Sequence, residues 1–535
     1  MSKVDLDYSL DDKYLLDEGR VFLSGTQALV KLPLIQKKID ELNNLNTAGF
    51  ISGYPGSPLG GYDHALHQAS NFLKDKQIVF QPGINEDLAA TALHGTQQTT
   101  LVDNPKHDGV FGIWFGKGPG VDRSGDALKH GNYAGSSKHG GVLALAGDDH
   151  AAKSSTTAHQ SDHAFIHFGM PILNPATVQD YIDFGLMGIA MSRYSGCWIG
   201  MKCITDTVES AASVDIGLKR FKPVLPDISD EEGDLHLQWG YMPAMSESRL
   251  YKQRLPAAQA FARANSIDRV IFQGQKKLAI VTSGKAYLDV RQSLDELGLS
   301  EKLCSKIGIS LYKVGMVWPL EPKNISNFVN GNEEVLVVEE KRPIVEDQLM
   351  KYLYNEKDRP LIIGKKDEFG NDLVPSEGEL SPSQIALIIA KRIKGLSLNI
   401  ELESKVEEIE TLLANINSAP VSDLFRLPSF CAGCPHNTST KVPDDSFAFG
   451  GIGCHGMATF MPERKTYNLG QMGGEGVMWT GIAPFTETDH IFQNLGDGTY
   501  YHSGILALRA AIASKANITF KILVNDAIAM TGGQE

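Results

Sequence analysis

No apolar run in this 535-residue chain approaches the ~20 residues that a membrane-spanning helix requires. Nor does the opening Met-Ser-Lys-Val-Asp-Leu-Asp hold the apolar stretch of a secretory leader. Cysteine is scarce, six residues in all, which argues against a disulfide-stapled secreted fold. Basic residues do not predominate either. The chain sets 50 Lys and Arg against 64 Asp and Glu, a net charge of −14, which excludes bulk attraction to nucleic acid or an anionic membrane. No internal repeat or low-complexity segment is visible. These absences predict a cytoplasmic protein with neither nucleic acid nor membrane as partner.

Glycine is plentiful, 53 residues, and several glycines stand where apolar strand patterns end. Gly496-Asp497-Gly498 closes a strand pattern that begins at Ile491, a helix pattern runs from Ser503 to Lys515, and a second strand pattern from Ile518 to Val524 runs into Asn525. A βαβ unit of this length sets the two strand ends side by side, with a helix N-terminus nearby. The Asp carboxylate and Asn carbonyl so placed are hard oxygen ligands of the kind Mg²⁺ takes while it holds a diphosphate. Gly496 and Gly498 let a ligand approach the backbone. The triplet alone fits an ordinary turn equally well. Joined to its spacing, its strand context and Thr531-Gly-Gly-Gln534, it reads as a thiamine diphosphate site with Mg²⁺ on Asp497 and Asn525.

Three of the six cysteines fall between positions 431 and 454, in Cys431-Ala-Gly-Cys434-Pro-His436 and Gly453-Cys454-His455. Two thiols separated by two residues, with a third further on, form a ligand pattern for an iron-sulfur cluster or zinc. Zinc would need a fourth ligand, and His436 or His455 could serve. A disulfide is disfavoured in a chain without a secretory signal. A cofactor that generates electrons in the same chain favours iron and sulfur.

In the N-terminal third, Phe50-Ile-Ser-Gly-Tyr-Pro55-Gly-Ser57-Pro58 reads as a strand running into a turn, the kind of edge where a ligand meets an α/β sheet. Glu86 stands near the first turn of the following apolar helix. Acids there usually only complement the helix dipole. Thiamine chemistry, however, needs a carboxylic acid against the aminopyrimidine ring, and burial suits it by raising its pKa. Asp148, Asp149, His150, His159, Asp162, His163 and His167 crowd one segment, but their spacing fits neither a zinc-protease helix nor a finger.

Taken as a set, Cys-Ala-Gly-Cys-Pro-His, Gly-Ile-Gly-Cys-His, Gly-Asp-Gly and Thr-Gly-Gly-Gln resemble the 2-oxoacid:ferredoxin oxidoreductases, most nearly the large fused indolepyruvate branch, from about residue 18 to the end. The resemblance implies an α/β fold of thiamine diphosphate-binding, transketolase-like doubly wound parallel sheets. A pyrimidine-binding domain would span 18–225, a transketolase C-terminal-like domain 249–370, a helical linker 371–424 and an incomplete diphosphate-binding domain 425–535. Glu86 would be the catalytic acid. Ser57 would lie beside the substrate carboxylate with Arg123 as its cationic partner, a part that nearby Lys117 could equally take. The carbonyl of Ala527 would join Asp497 and Asn525 on Mg²⁺, and Cys431, Cys434 and Cys454 would hold a [4Fe-4S] cluster. The segment from Asp148 would line the cleft, with His150 near the substrate.

The implied reaction is oxidative decarboxylation of a 2-oxoacid, indolepyruvate or another aryl pyruvate, to an acyl-CoA. Coenzyme A is then the co-substrate, ferredoxin the electron acceptor and a homodimer the working form. The alternatives are a non-oxidative thiamine diphosphate-dependent decarboxylase with a structural zinc, or a non-enzymatic scaffold of the same fold. The family pattern also implies a fourth cluster cysteine and further structure after Glu535, so the chain is expected to be a fragment of a longer polypeptide.

Overall fold

A computed structural model describes residues 8–227, 235–240, 243–418 and 428–524. The chain forms two compact units, Met1–Ala419 and Pro420–Glu535. No helix among the described residues is long and apolar enough to cross a membrane.

The first unit is built on a seven-stranded sheet. Its strands lie in the order Met316–Trp318, Ile172–Leu173, Ile199–Ile204, Val142–Asp148, Gly109–Lys117, Thr47–Gly53 and Ile78–Phe80. All pair in parallel except Met316–Trp318, which runs antiparallel to Ile172–Leu173. Strands buried on both faces show continuous apolar runs rather than alternation. In Gly109–Lys117, accordingly, Phe111, Ile113 and Phe115 face one core cluster while Trp114 faces another. The helices Gly25–Leu42 and Val178–Ser195 pack on the first of these faces. Each starts at a reciprocal capping box, Ser24 with Gln27 and Thr177 with Asp180, which satisfies otherwise orphaned backbone donors.

A second layer of the same unit carries a five-stranded sheet in the order Leu361–Ile363, Glu334–Val338, Leu278–Ser283, Ile309–Val314 and Arg269–Phe272, antiparallel only at the last pair. The chain leaves this sheet after Val314 and adds Met316–Trp318 to the edge of the first, so the two layers are stitched by backbone as well as by side chains. The segment expected as a helical linker, 371–424, differs in the structure. Its helices Pro382–Gly395 and Glu403–Ser418 bury Ile385, Ile389, Ile393 and Ile409 in the core of the second layer. The acidic run of the latter helix hides this apolar stripe from a reading by charge alone.

The second unit holds a four-stranded parallel sheet in the order Thr466–Tyr467, Ala448–Phe449, Ile491–Gly496 and Ile518–Leu523. Gly496 pairs in register with Leu523, so the last two strands end side by side. The connecting helix runs over Ile505–Ala513, shorter than the sequence pattern, after a wider π-type turn at Tyr500–Gly504.

Candidate active site

In the seven-stranded sheet the chain reverses its direction of winding between Thr47–Gly53 and Gly109–Lys117, and doubly wound sheets bind ligands outside the C-terminal ends of strands at such a point. Glycines crowd this edge for steric reasons. A Cβ on Gly53 would lie 2.1 Å from the Phe115 carbonyl oxygen, and one on Gly56 would lie 3.0 Å from Lys117 Cβ. Ser57 follows on the exposed rim.

Glu86 opens the helix Glu86–Gln97 and is 7% exposed. Asn85 caps the helix through its side chain, which accepts from the Leu88 N–H at 3.0 Å. Trp114 Nε1 donates to the Glu86 carbonyl at 2.9 Å. The carboxyl group lies against the turn Gly118-Pro119-Gly120, where a Cβ on Gly120 would fall 2.7 Å from Oε1. The Tyr54 hydroxyl is pushed upward in pKa by burial and by the charges of Glu86 and Asp63. Arg123 ends the short helix Gly118–Arg123 that this turn opens, its Nε 3.9 Å from the carboxylate of Asp87. Lys117 Nζ donates to the Ser154 carbonyl at 2.6 Å.

The histidine-rich segment divides between structural tasks. Asp149 accepts from the backbone N–H groups of Lys153 and Ser154 and from the hydroxyls of Ser154 and Ser155, which ties the loop into a closed turn. His150, expected near the substrate, is 5% exposed and shares its Nδ1 with Glu340 of the second layer at 2.7 Å. Asp162 pairs with buried Lys202 at 2.7 Å. Only His159 reaches the glycine turn: a Cβ on Gly118 would lie 2.4 Å from its ring, whose Nε2 is 3.3 Å from Asp122. That contact was not legible in the sequence, where His159 looked like one member of an unfit metal pattern.

In the second unit Asp497 begins a short helix directly after Gly496, and its Oδ1 accepts from the Gly498 N–H at 2.8 Å. Asn525, Ala527 and Thr531–Gln534 lie outside the described residues. Around the strand end are buried polar atoms with no hydrogen-bond partner: both amide atoms of Asn494, Nε2 of His455 and Nδ1 of His436. A Cβ on Gly451 would fall within 2.9 Å of His455 Nε2, within 2.9 Å of the Asn494 carbonyl oxygen and 2.8 Å from Glu475 Cγ. Burial, then the neighbouring His436, pulls His455 down to about 4, so it is neutral at physiological pH. Burial raises the Glu475 carboxyl, which accepts from the Gly473 N–H at 2.7 Å. Unpartnered buried polar atoms beside closely packed glycines are a donor set that fits a polar diphosphate. Asn494 and Glu475 were missed in the sequence, although an acid flanked by glycines in Gly473-Gly-Glu475-Gly476 was a visible signal.

Cys431 is exposed, while Cys434 and Cys454 are half-buried. The Cys434 N–H donates to the Cys431 carbonyl at 3.0 Å, and Asn437 Nδ2 donates to both cysteine carbonyls at 3.2 Å. Burial raises the Cys454 thiol, and Cys434 and Cys431 raise it further, which places the three sulfurs in one neighbourhood. Among the described residues, however, no three His, Cys, Asp or Glu side chains are set at the spacing of a formed metal site. The donor chemistry fits a thiolate-bound cluster, while the geometry is not that of an assembled one.

Comparison with known proteins matches an indolepyruvate oxidoreductase domain to residues 268–420 and a thiamine pyrophosphate enzyme C-terminal TPP binding domain to residues 451–535. Indolepyruvate oxidoreductase subunit IorA of Methanothermobacter thermautotrophicus is 24% identical over 98% of this chain and 78% of its own length. The subunit of the same name from Thermococcus kodakarensis is 29% identical over 48% of this chain and 39% of its own. Among solved structures, a 2-oxoglutarate:ferredoxin oxidoreductase from Magnetococcus marinus shares the fold with a TM-score of 0.51 at 13% identity, covering 70% of this chain and 66% of that one. The two family matches fall on the second layer and on the Gly-Asp-Gly unit, and the Methanothermobacter relative runs nearly the length of the chain, a similarity to thiamine diphosphate-dependent 2-oxoacid oxidoreductases of the indolepyruvate oxidoreductase type.

Proposed function

We propose that the protein oxidatively decarboxylates indolepyruvate or another aryl pyruvate. In balance, 2-oxoacid, coenzyme A and two oxidised ferredoxins give acyl-CoA, CO₂, a proton and two reduced ferredoxins, and an iron-sulfur cluster would supply the one-electron steps. The observation that carries this reading is the buried carboxyl of Glu86, set against a glycine turn at the switch point of the sheet. The names of the relatives support the substrate, and a structural neighbour described with coenzyme A and succinyl-CoA bound supports the acyl acceptor.

Thiamine diphosphate, when bound, supplies the electron sink that a 2-oxoacid needs in order to lose CO₂. The residues of this chain do the rest. Glu86 is set where water has little access, and its carboxyl would be the group that exchanges a proton with the aminopyrimidine ring of the bound cofactor. Gly120 keeps the space in front of that carboxyl open. Ser57 offers a hydroxyl to the substrate carboxylate. Asp497, Asn525 and the Ala527 carbonyl would give Mg²⁺ its oxygen ligands, with Gly496 and Gly498 leaving room for the diphosphate at the backbone. Cys431, Cys434 and Cys454 furnish three thiolates for a [4Fe-4S] cluster. The enzyme works as a cytoplasmic homodimer.

Metal content tests the redox half of this reading. Protein purified without oxygen is expected to contain iron and acid-labile sulfide and to show the broad visible absorption of a cluster, and Cys431→Ser or Cys434→Ser should lose both. Stoichiometric zinc without sulfide would instead favour a non-oxidative decarboxylase.

A further inference from the structure

Of Lys117 and Arg123, the two candidates for the substrate carboxylate, Arg123 alone has a carboxylate within ion-pair distance among the described residues. Lys117 ends the Gly109–Lys117 strand between two functional segments. On one side its stem lies on Gly56, the residue before Ser57, where a Cβ would be 3.0 Å from Lys117 Cβ and 3.3 Å from Cδ. On the other, its neighbour Gly116 faces Glu86, 3.4 Å from an added Cβ to Glu86 Cγ. Its ammonium has three donors, and one is given to the Ser154 carbonyl. Among the described residues no carboxylate forms an ion pair with it; the nearest acid to influence it, Asp149, is occupied by four donors from its own loop. Burial pulls the Lys117 pKa down, the mark of a partly desolvated cation without sufficient counter-charge. Arg123, by contrast, has a carboxylate beside it, Asp87 at 3.9 Å from its Nε, although that Nε makes no hydrogen bond.

We infer that Lys117, rather than Arg123, is the cation that receives the substrate carboxylate, with Ser57 beside it and Glu86 on the far side of Gly116. The assignment rests on the 2-oxoacid reading and deepens it. An anion bound at Lys117 completes the ammonium's hydrogen bonds and supplies its missing counter-charge, a charge-assisted contact stronger than the single carbonyl it has alone. The acid group is thereby held at the end of the strand whose Gly116 packs against Glu86.

The test uses the cofactor-loaded native enzyme and its Lys117→Met, Lys117→Arg and Arg123→Met variants, with folding checked by thermal melting. Indole-3-acetate probes the carboxylate and indole-3-acetamide serves as its uncharged twin, both followed by calorimetry alongside steady-state kinetics. Lys117→Met should weaken the acid and raise KM for the 2-oxoacid by about 10- to 100-fold, the range for a charged hydrogen bond, and leave the amide unmoved. Lys117→Arg should recover part of the loss. Arg123→Met carrying the penalty with Lys117→Met silent would overturn the assignment. So would Lys117→Met weakening thiamine diphosphate binding with the acid unaffected. A well-folded native enzyme that turns over no 2-oxoacid would instead remove the reaction class on which the assignment stands.

Discussion

At Glu86 the decisive neighbour is a residue without a side chain. The first-turn position of Glu86 was legible in the sequence, because an Asn cap followed by an acid marks a helix start. Its burial and its facing of Gly120 were not, since they depend on a turn some thirty residues further along the chain. Gly120→Ala would place a methyl 2.7 Å from Glu86 Oε1, closer than real side-chain contacts allow. Glu86 must then shift, and turnover is expected to fall at least about 10-fold, since small misplacement of a catalytic group is costly. The melting temperature should change much less than the rate; equal loss of both would mean that the turn is structural only. Residue type was likewise a poor guide to the histidines. His150 was expected near the substrate, but its Nδ1 is paired with Glu340 across the layer junction.

At the scale of elements, the junction of the two layers in the first unit is electrostatic as well as apolar, and its pH dependence can be worked out. Burial by itself would raise the Glu340 carboxyl, but the hydrogen bond and charge of His150, with the charge of Lys285, outweigh it and hold the group down at about 2. A depressed carboxyl stabilises the fold above its unfolded value near 4.5, and that stability is lost as pH falls from there through about 2. Glu340→Gln should cost on the order of 3 kcal/mol near neutrality, because it strands buried cations, and should flatten the acid limb of the stability curve. An unchanged acid limb would mean that this carboxylate is not what links the layers.

Asp268 has the opposite sign. Its Oδ1 accepts from the N–H groups of Gly315 and Met316, the crossover between sheets, while burial lifts its pKa to about 7. A raised carboxyl contributes stability while it is protonated and loses it as pH rises through about 7. Asp268→Asn keeps the acceptor and cannot ionise, so it should melt several degrees above the native protein on the alkaline side of that value. A native melting temperature that does not fall as pH rises from about 4 to about 7 would contradict this. The strands of these layers were legible as apolar runs. The antiparallel edge strand Met316–Trp318 was not, since three residues carry no periodicity.

Across the whole molecule the chemistry-bearing residues are divided. The first unit carries Ser57, Glu86 and Lys117, and the second carries Cys431, Cys434, Cys454 and Asp497. Motifs held within one short stretch, such as Gly496-Asp497-Gly498, were the most legible, because spacing along the chain nearly dictates spacing in the βαβ unit. The close packing around Gly451 was not, because Asn494, His455 and Glu475 meet there from three separate segments. The measurement that bears most directly on the account is 2-oxoacid-dependent reduction of a viologen dye under anaerobic conditions, with thiamine diphosphate, Mg²⁺ and coenzyme A supplied. The native enzyme should reduce the dye only when indolepyruvate or a related oxoacid is present, and Glu86→Gln should be slower by about 10²- to 10⁴-fold while folded and cofactor-bound. Equal dye reduction by the native and Glu86→Gln enzymes, or release of CO₂ and aldehyde without dye reduction, would contradict it.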